Sequence, residues 1–390
     1  MRRGFHCAAA VLVATAASLL PSRALSSAAS NTGERTSLVE SPLATGAGLE
    51  LDFINGAPYG IYAPIHVLTF SPSQYTVQVA LANHALDGGL QTPSAMCQST
   101  PGCVAAINGD YFDVTDAGQP AMGDEVGGII RNCVLLHTPE ISHEQVDLSD
   151  ETVSEGLNWT SDLDVDGTDV PITAINQQLP MTYVRVHVPL AGTLLYTSLY
   201  DLPTPAASGR VTYEFEEIDG ATSPTTINAT ADLEFVGQTT RPARVARGDV
   251  DISAPVGTVL ASLGVGDTAE LTVNSTAGCN NIGGHPILFE DGEAGLPNRD
   301  DTYMATPYPR TVIGWTATGE TLILSVGGSD GETGATMFQL LTLLYSLDAV
   351  TALDLDGGGS TSLYVNGRVV YPTAATERPV STGLLIVSDP

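Results

Sequence analysis

The chain has 390 residues, with 44 acidic and 14 basic side chains, and its formal net charge at pH 7 is −30. So acidic a protein repels nucleic acid and anionic membranes, because recognition of either needs basic patches. We therefore expect no nucleic-acid partner, and any anionic ligand would need a local basic exception.

The N-terminus predicts export. Met1-Arg2-Arg3 precedes an apolar run from Ala8 to Leu20, and Ser22-Arg23-Ala24 provides small residues for cleavage, which together predict a signal peptide over residues 1–24. The run is short and rich in alanine for a membrane span. We expect a secreted, extracellular protein with no membrane span in the mature chain; an uncleaved anchor is the alternative.

The segments that follow are mostly strand-like. Residues 25–48 are rich in Ser, Ala, Thr and Gly without periodicity and predict a disordered leader. From Leu51 onward, short segments with Val, Ile, Leu, Thr and Tyr recur between turns and predict strands. We expect one catalytic domain over residues 49–390, with an embedded strand-rich subdomain near residues 140–278.

The cysteines predict disulfide bonds. After loss of the signal peptide, Cys97, Cys103, Cys133 and Cys279 remain, an even number in an exported chain. Four cysteines allow three pairings. The short loop with Pro101-Gly102 favours Cys97 with Cys103, which leaves Cys133 with Cys279; a zinc site is disfavoured because there is no CxxC pair.

One helix is strongly indicated near the C-terminus. Apolar residues between about Ala335 and Ser346 recur at helical spacing. An apolar strand from Ala349 to Leu353 follows and ends at a glycine-rich turn. The fold class predicted from these elements is α+β, with mixed, strand-rich sheets, few helices, and a ligand turn at the end of the strand that follows the helix.

That turn is the most informative stretch of the sequence. It reads Asp354-Leu355-Asp356-Gly357-Gly358-Gly359-Ser360-Thr361-Ser362. Glycines let backbone N–H groups approach an anionic ligand closely. The turn is not a Walker loop because no lysine follows it, and an ordinary tight turn is the alternative interpretation.

Four ordered blocks resemble the phosphodiester glycosidase family. The turn and the following Glu377-Arg378-Pro379-Val380-Ser381 are similar to its C-terminal signature, and the other blocks run from Ala106 to Phe112, from Ile282 to Leu288 and from Pro309 to Gly314. The chain departs from the family pattern at Asp110, where a second glycine is usual, at Asp354, where asparagine is common, and at His285, which interrupts a Gly-rich turn.

The resemblance implies a hydrolase acting on a sugar phosphodiester, which could belong to a glycan, a lipid or a cell-wall polymer. Carboxylates would activate water or stabilise an oxocarbenium-like centre, and the catalytic candidates are Asp110, Asp356 and Glu377. Arginine would clamp the phosphate. The residues expected to bind substrate or phosphate are Asn108, Gly283, Gly284, His285, Arg310, Thr311, Gly357, Gly358, Gly359, Ser360 and Arg378.

Three functions stay open from the sequence. The first is cleavage of the glycosyl phosphodiester at the anomeric carbon. The second is a phosphodiesterase cleaving the P–O bond, and the third is a noncatalytic carbohydrate-binding protein. The sequence requires no cofactor, although a divalent cation such as calcium, held by Asp354, Asp356 and a phosphate oxygen, is an alternative.

Overall fold

The computed structural model describes residues 43–44, 48–86, 88–113, 123–139, 143–177, 192–205, 207–218, 220, 223–295, 302–328, 333–372 and 377–389. The predicted signal peptide and most of the predicted leader lie outside these residues. From residue 43 onward, the described residues belong to one compact unit. The domain boundaries expected from the sequence stay a prediction.

Twenty-five strands and three α-helices are found among the described residues. In chain order the elements are β1 (Leu43–Ala44), β2 (Leu49–Ile54), β3 (Ile65–Phe70), β4 (Tyr75–Leu81), α1 (Pro93–Gln98), β5 (Cys103–Asn108), β6 (Ile129–Arg131), β7 (Val134–His137), β8 (Gln145–Asp147), β9 (Thr152–Ser154), β10 (Trp159–Val165), β11 (Thr168–Ile175), β12 (Thr193–Thr197), β13 (Arg210–Glu217), β14 (Ala229–Thr239), β15 (Asp249–Pro255), β16 (Thr268–Ser275), β17 (Asn280–Gly283), β18 (Ile287–Glu290), β19 (Glu293–Ala294), α2 (Thr302–Ala305), β20 (Arg310–Thr316), β21 (Thr321–Val326), α3 (Met337–Ser346), β22 (Ala349–Asp354), β23 (Ser362–Val365), β24 (Arg368–Pro372) and β25 (Thr382–Ser388).

The strands form three open sheets and one closed barrel. The first sheet has the order β1-β2-β3-β21-β20-β22-β18-β19, the second β7-β6-β17-β8-β9 and the third β24-β23-β5-β25-β4. The barrel has the order β10-β11-β12-β15-β13-β14-β16. Of the pairings between these strands, only β11 with β12 is parallel.

The predicted α+β class is wrong, because the protein is mostly β. Strands account for 48% of the described residues and helices for 12%. The strong helix is present as α3, which starts with a capping box between Thr336 and Gln339. It is one of three short α-helices among the described residues, and nine pairs of strands that are consecutive in the chain form antiparallel hairpins.

Two sheets enclose the main core. Apolar side chains of the first sheet, such as Leu68 and Ile313, pack against Ile107 and Leu384 of the third sheet. The other face of the first sheet packs against α3 through Leu340 and its neighbours. All residues of β20 and β21 are therefore buried, which explains why apolar and polar residues do not alternate along them.

The barrel has a second core, to which Ile130 of β6 and Leu135 of β7 also contribute. Alternate residues on its strands, such as Leu163, Phe215 and Leu271, point inward and are fully buried, as expected for strands with one face in a core. Its first and last strands are neighbours, with Trp159 opposite Ser275. The chain therefore enters and leaves the barrel at one place.

Two disulfide bonds join Cys97 to Cys103 and Cys133 to Cys279. These pairings match those predicted from the sequence. No helix among the described residues is long and apolar enough to cross a membrane.

Candidate active site

The four sequence blocks meet where β5 and β22 end and β20 begins. Asn108, the last residue of β5, is fully buried and connects them. Its Nδ2 donates to the carbonyl of Asp356 over 2.6 Å, and its Oδ1 accepts from Thr311 Oγ1 at 2.8 Å and from the Ser362 N–H at 3.2 Å. The polar atoms of Asn108 and Thr311 are thus used in buried hydrogen bonds that link β5, β20 and the glycine turn, rather than being directed at a ligand.

Two carboxyls lie at the glycine turn in different environments. Asp354 is fully buried, whereas Asp356 is half-buried. Burial raises the pKa of Asp354 to about 7, although Arg310 opposes this shift. Burial also raises the pKa of Asp356 to about 7, against the Ser360 hydroxyl and the Gly357 N–H, which both favour its ionised form. Asp356 is therefore a half-buried residue whose carboxyl can hold or release a proton near neutral pH.

Arg310 is fully buried and bound by the protein itself. Its guanidinium donates to Asp354 Oδ2 at 3.3 Å and to the carbonyls of Ala335, Tyr303 and Thr306 at 3.1 to 3.4 Å. It also lies 4.4 Å from the centre of the Tyr303 ring. In this geometry Arg310 holds Asp354 in place, which differs from the phosphate contact predicted from the sequence.

Asp110 is buried and orients a histidine that the sequence analysis missed. Its Oδ1 lies 3.0 Å from His143 Nε2 and also accepts from the Tyr111 N–H, while its Oδ2 accepts from the Gly127 N–H at 2.9 Å. Burial lowers the pKa of His143, but the charge and hydrogen bond of Asp110 outweigh burial and raise it. A Cβ at Gly283 would lie 2.1 Å from Asp110 Oδ2, so only glycine fits beside this pair.

His285 stands at the accessible edge of the site. Its Nδ1 lies 2.8 Å from Glu144 Oε2, its side chain is 38% exposed, and its ring stacks on Tyr303. Burial raises the pKa of Glu144, but His285 outweighs burial and lowers it. A cavity of about 370 Å³ opens beside the pair and is lined by further glutamates and by Met304.

The opposite side of the turn carries Arg378 and Glu377. Arg378 is half-buried and packs on Gly359, where a Cβ would lie 3.0 Å from its Nη1. Glu377 Oε1 accepts from Ser362 Oγ at 2.7 Å and from the Ser94 N–H at 3.1 Å, and Ser94 Oγ donates to Oε2. These hydrogen bonds link Glu377 to helix α1.

The glycine turn satisfies several of its own N–H groups. Gly358 donates to the carbonyl of Pro309, Ser360 donates to that of Gly357, and the Gly357 N–H donates to Asp356 Oδ1. The turn therefore fixes the carboxylate of Asp356 with groups that the sequence analysis assigned to a ligand. Gly284 lies against the carbonyl of Asp354 and leaves no room for a side chain.

A metal was the alternative raised for Asp354 and Asp356. Among the residues that the structure describes, no group of three or more His, Cys, Asp or Glu side chains is arranged to hold a metal ion. Asp354 already forms a buried ion pair with Arg310.

Comparison with known proteins gives a match to one protein family. Residues 238–387 match the family model described as phosphodiester glycosidase. By this match, residues 238–387 belong to the phosphodiester glycosidase family. A 65-residue segment is also 34% identical to N-acetylglucosamine-1-phosphodiester alpha-N-acetylglucosaminidase of Bos taurus, covering 16% of this chain and 12% of that protein. The chain thus matches about an eighth of that relative's length.

Two solved structures share the fold of this chain. A hypothetical protein from Synechocystis has a TM-score of 0.67 at 18% identity, covering 88% of this chain and 62% of the other. A protein from Burkholderia pseudomallei K96243 has a TM-score of 0.62 at 18% identity, covering 83% of this chain and 74% of the other.

The predicted family resemblance is confirmed, and the predicted site residues lie together. The roles of individual residues stay predictions. The sequence analysis missed His143, Glu144, Tyr111 and Tyr303. Tyr111 stands inside a family block next to Asp110, which was a usable signal, whereas His143 and Glu144 lie in a segment with no recognisable motif.

Proposed function

We propose that the protein hydrolyses a glycosyl phosphodiester at the anomeric carbon of the sugar, releasing the sugar and a phosphomonoester. The observation that carries this proposal is Asp356, a half-buried residue whose carboxyl has a pKa of about 7, fixed at a glycine turn beside Arg378. It lies inside the segment that matches the phosphodiester glycosidase family.

The phosphate would bind on the Arg378 side of the turn. A planar guanidinium offers paired hydrogen bonds to a phosphate group, and Arg378 is half-buried beside Gly359. Because a departing phosphomonoester is a weak base, clamping its charge matters more than protonating it. Arg310 would act indirectly, by holding Asp354 under the turn.

The sugar would bind on the His285 side. The cavity there is lined by Glu144, Glu155, Glu290 and Glu293, which suit the hydroxyl groups of a neutral sugar and would repel a phosphate. Asp356, between the two sides, would activate the water or stabilise the positive charge that develops at the anomeric carbon. Asp110 would orient His143, and Glu377 would position Ser362.

We further propose that the protein works outside the cytoplasm. Two disulfide bonds support an oxidising compartment, in line with the N-terminal signal predicted from the sequence.

Hydrolysis of UDP-N-acetylglucosamine or another sugar phosphodiester in ¹⁸O-labelled water tests the proposal. We expect the label in the released sugar and none in the phosphate product. Label in the phosphate would instead assign a phosphodiesterase, and no turnover of any glycosyl phosphodiester would favour a noncatalytic carbohydrate-binding protein. Asp356→Asn serves as the inactive variant, and Asp348→Asn, at an exposed position outside the site, as the matched control.

A further inference from the structure

A second cavity lies away from the candidate active site. It measures about 220 Å³ and lies between β4, the loop before α1 and the turn that follows β6. We name it the Arg131 cavity; its polar lining includes Arg131, His84, Gln78, Gln91 and Asn132.

The charge of this lining is opposite to that of the protein. The chain has 44 acidic and 14 basic residues, yet the described residues that line the Arg131 cavity include an arginine and a histidine and no carboxylate. The cavity beside His285, by contrast, has four glutamates. The Arg131 cavity is therefore the local basic exception that an anionic ligand needs in so acidic a protein.

Arg131 has no acceptor among the residues that the structure describes. It is half-buried, and burial lowers its pKa, but an arginine stays charged in proteins. Among the described residues its guanidinium makes no hydrogen bond or ion pair, whereas Arg244 pairs with Asp201 and Arg310 with Asp354. A half-buried charge without a partner is costly, and a bound anion would remove that cost.

The groups around Arg131 are held in place. His84 and Asn132 both have left-handed backbone conformations, with φ of 65° and 53°, which His and Asn adopt more readily than most other residues. The Asn132 N–H donates to Asn280 Oδ1. Gln91 Oε1 accepts from the Asn83 N–H, so its amide NH₂ group remains available as a donor.

We propose that the Arg131 cavity binds a small ligand through a phosphate group, with Arg131 as the main contact. A phosphate matches the paired N–H groups of a guanidinium. The volume is below the roughly 300–1,000 Å³ that is typical for drug-sized ligands, so the occupant is inorganic phosphate or a compact phosphomonoester. This site does not depend on the function proposed for the Asp356 turn.

Isothermal titration calorimetry with inorganic phosphate and with methyl phosphate tests the proposal. Arg131→Gln should weaken binding at one site by about tenfold or more, the effect of losing a charge-assisted contact, and leave kcat/KM for a sugar phosphodiester unchanged. Arg378→Gln should leave this binding intact, which separates the cavity from the candidate active site. Tighter binding of inorganic phosphate than of methyl phosphate would identify the free ion as the occupant, and the reverse a monoester.

Two further variants control for folding and for bulk charge. Gln91→Glu keeps the acceptor for the Asn83 N–H but adds a carboxylate to the cavity, so it should abolish binding even if Arg131→Gln fails to fold. Arg241→Gln removes an exposed charge outside the cavity and should have no effect. Unchanged phosphate binding in Arg131→Gln or Gln91→Glu, an equal loss in Arg241→Gln, or acetate binding as tightly as phosphate would overturn the proposal.

Discussion

Replacing Arg310 with methionine separates a structural role from a phosphate-binding role. The change removes the buried partner of Asp354 and takes one donor from each of the carbonyls of Ala335, Tyr303 and Thr306. Breaking a buried ion pair from one side costs about 3–5 kcal/mol. At roughly 2–4 °C per kcal/mol for a domain of this size, the melting temperature should fall by about 6–20 °C.

The pH dependence of this loss follows from Asp354. Burial raises its pKa from 3.8 to about 7, so the folded state binds this proton more tightly than the unfolded state does. The stability that this group contributes is therefore full below pH 4 and is lost as the pH rises towards 7. At pH 5 the Asp354 carboxyl is neutral, so its interaction with Arg310 stabilises the fold less. Arg310→Met should therefore lower the free energy of unfolding less at pH 5 than at pH 8.

Thermal unfolding and kinetics together provide the assay. The control is Arg244→Met, which breaks a pair whose side chains are 58% and 50% exposed and should cost about 0–1 kcal/mol. Activity of Arg310→Met should fall on both a sugar phosphodiester and an aryl glycoside. A variant with a melting temperature within about 1 °C of the wild type and a loss confined to the phosphodiester would refute the structural role and restore Arg310 as a phosphate contact.

Three other substitutions test the site and its frame. Asp356→Asn should lower kcat about 10²–10⁴-fold, the usual contribution of a general acid or base, with little change in melting temperature; similar kinetics to the wild type would exclude Asp356 from the chemistry. Asn108→Ala leaves the Asp356 carbonyl and the Ser362 N–H without partners, at about 1–3 kcal/mol for each buried group, so both melting temperature and activity should fall. Joint replacement of Cys133 and Cys279 by serine should cost about 2–5 kcal/mol in chemical denaturation, and no change in the denaturation midpoint would show that the bond adds nothing.

The sequence predicted which residues form the site better than it predicted how those residues contact one another. The blocks around Asn108, Gly283, Arg310 and Asp356 could be recognised because glycine, buried amide and charge occur there in an unusual local pattern. Whether a charged side chain contacts a ligand or other groups of the protein depends on how deeply it is buried. Arg310 and Asp110 both belong to recognisable blocks, yet both are buried and bind protein groups.

The predicted α+β fold class was wrong for a related reason. Fully buried antiparallel strands such as β20 and β21 show no alternation of apolar and polar residues, so their sequence fits parallel and antiparallel sheets equally. The unit formed by α3 and β22 looked like part of an α/β arrangement. In the structure β22 pairs antiparallel with both of its neighbours, a long-range property that no local pattern encodes.

Because Trp159 and Ser275 lie opposite each other, the barrel is inserted into the rest of the chain at a single point. Its ends already lie side by side in the β10–β16 pair, so a two-residue turn could close the gap after excision of the barrel, as in a β-hairpin. The Cys133–Cys279 bond links a residue 26 positions before Trp159 to a residue four positions after Ser275. The strands of the barrel can therefore lengthen or shorten without moving β5, β20 or β22, but removal of the barrel would expose Ile130 of β6 and Leu135 of β7, which pack in its core.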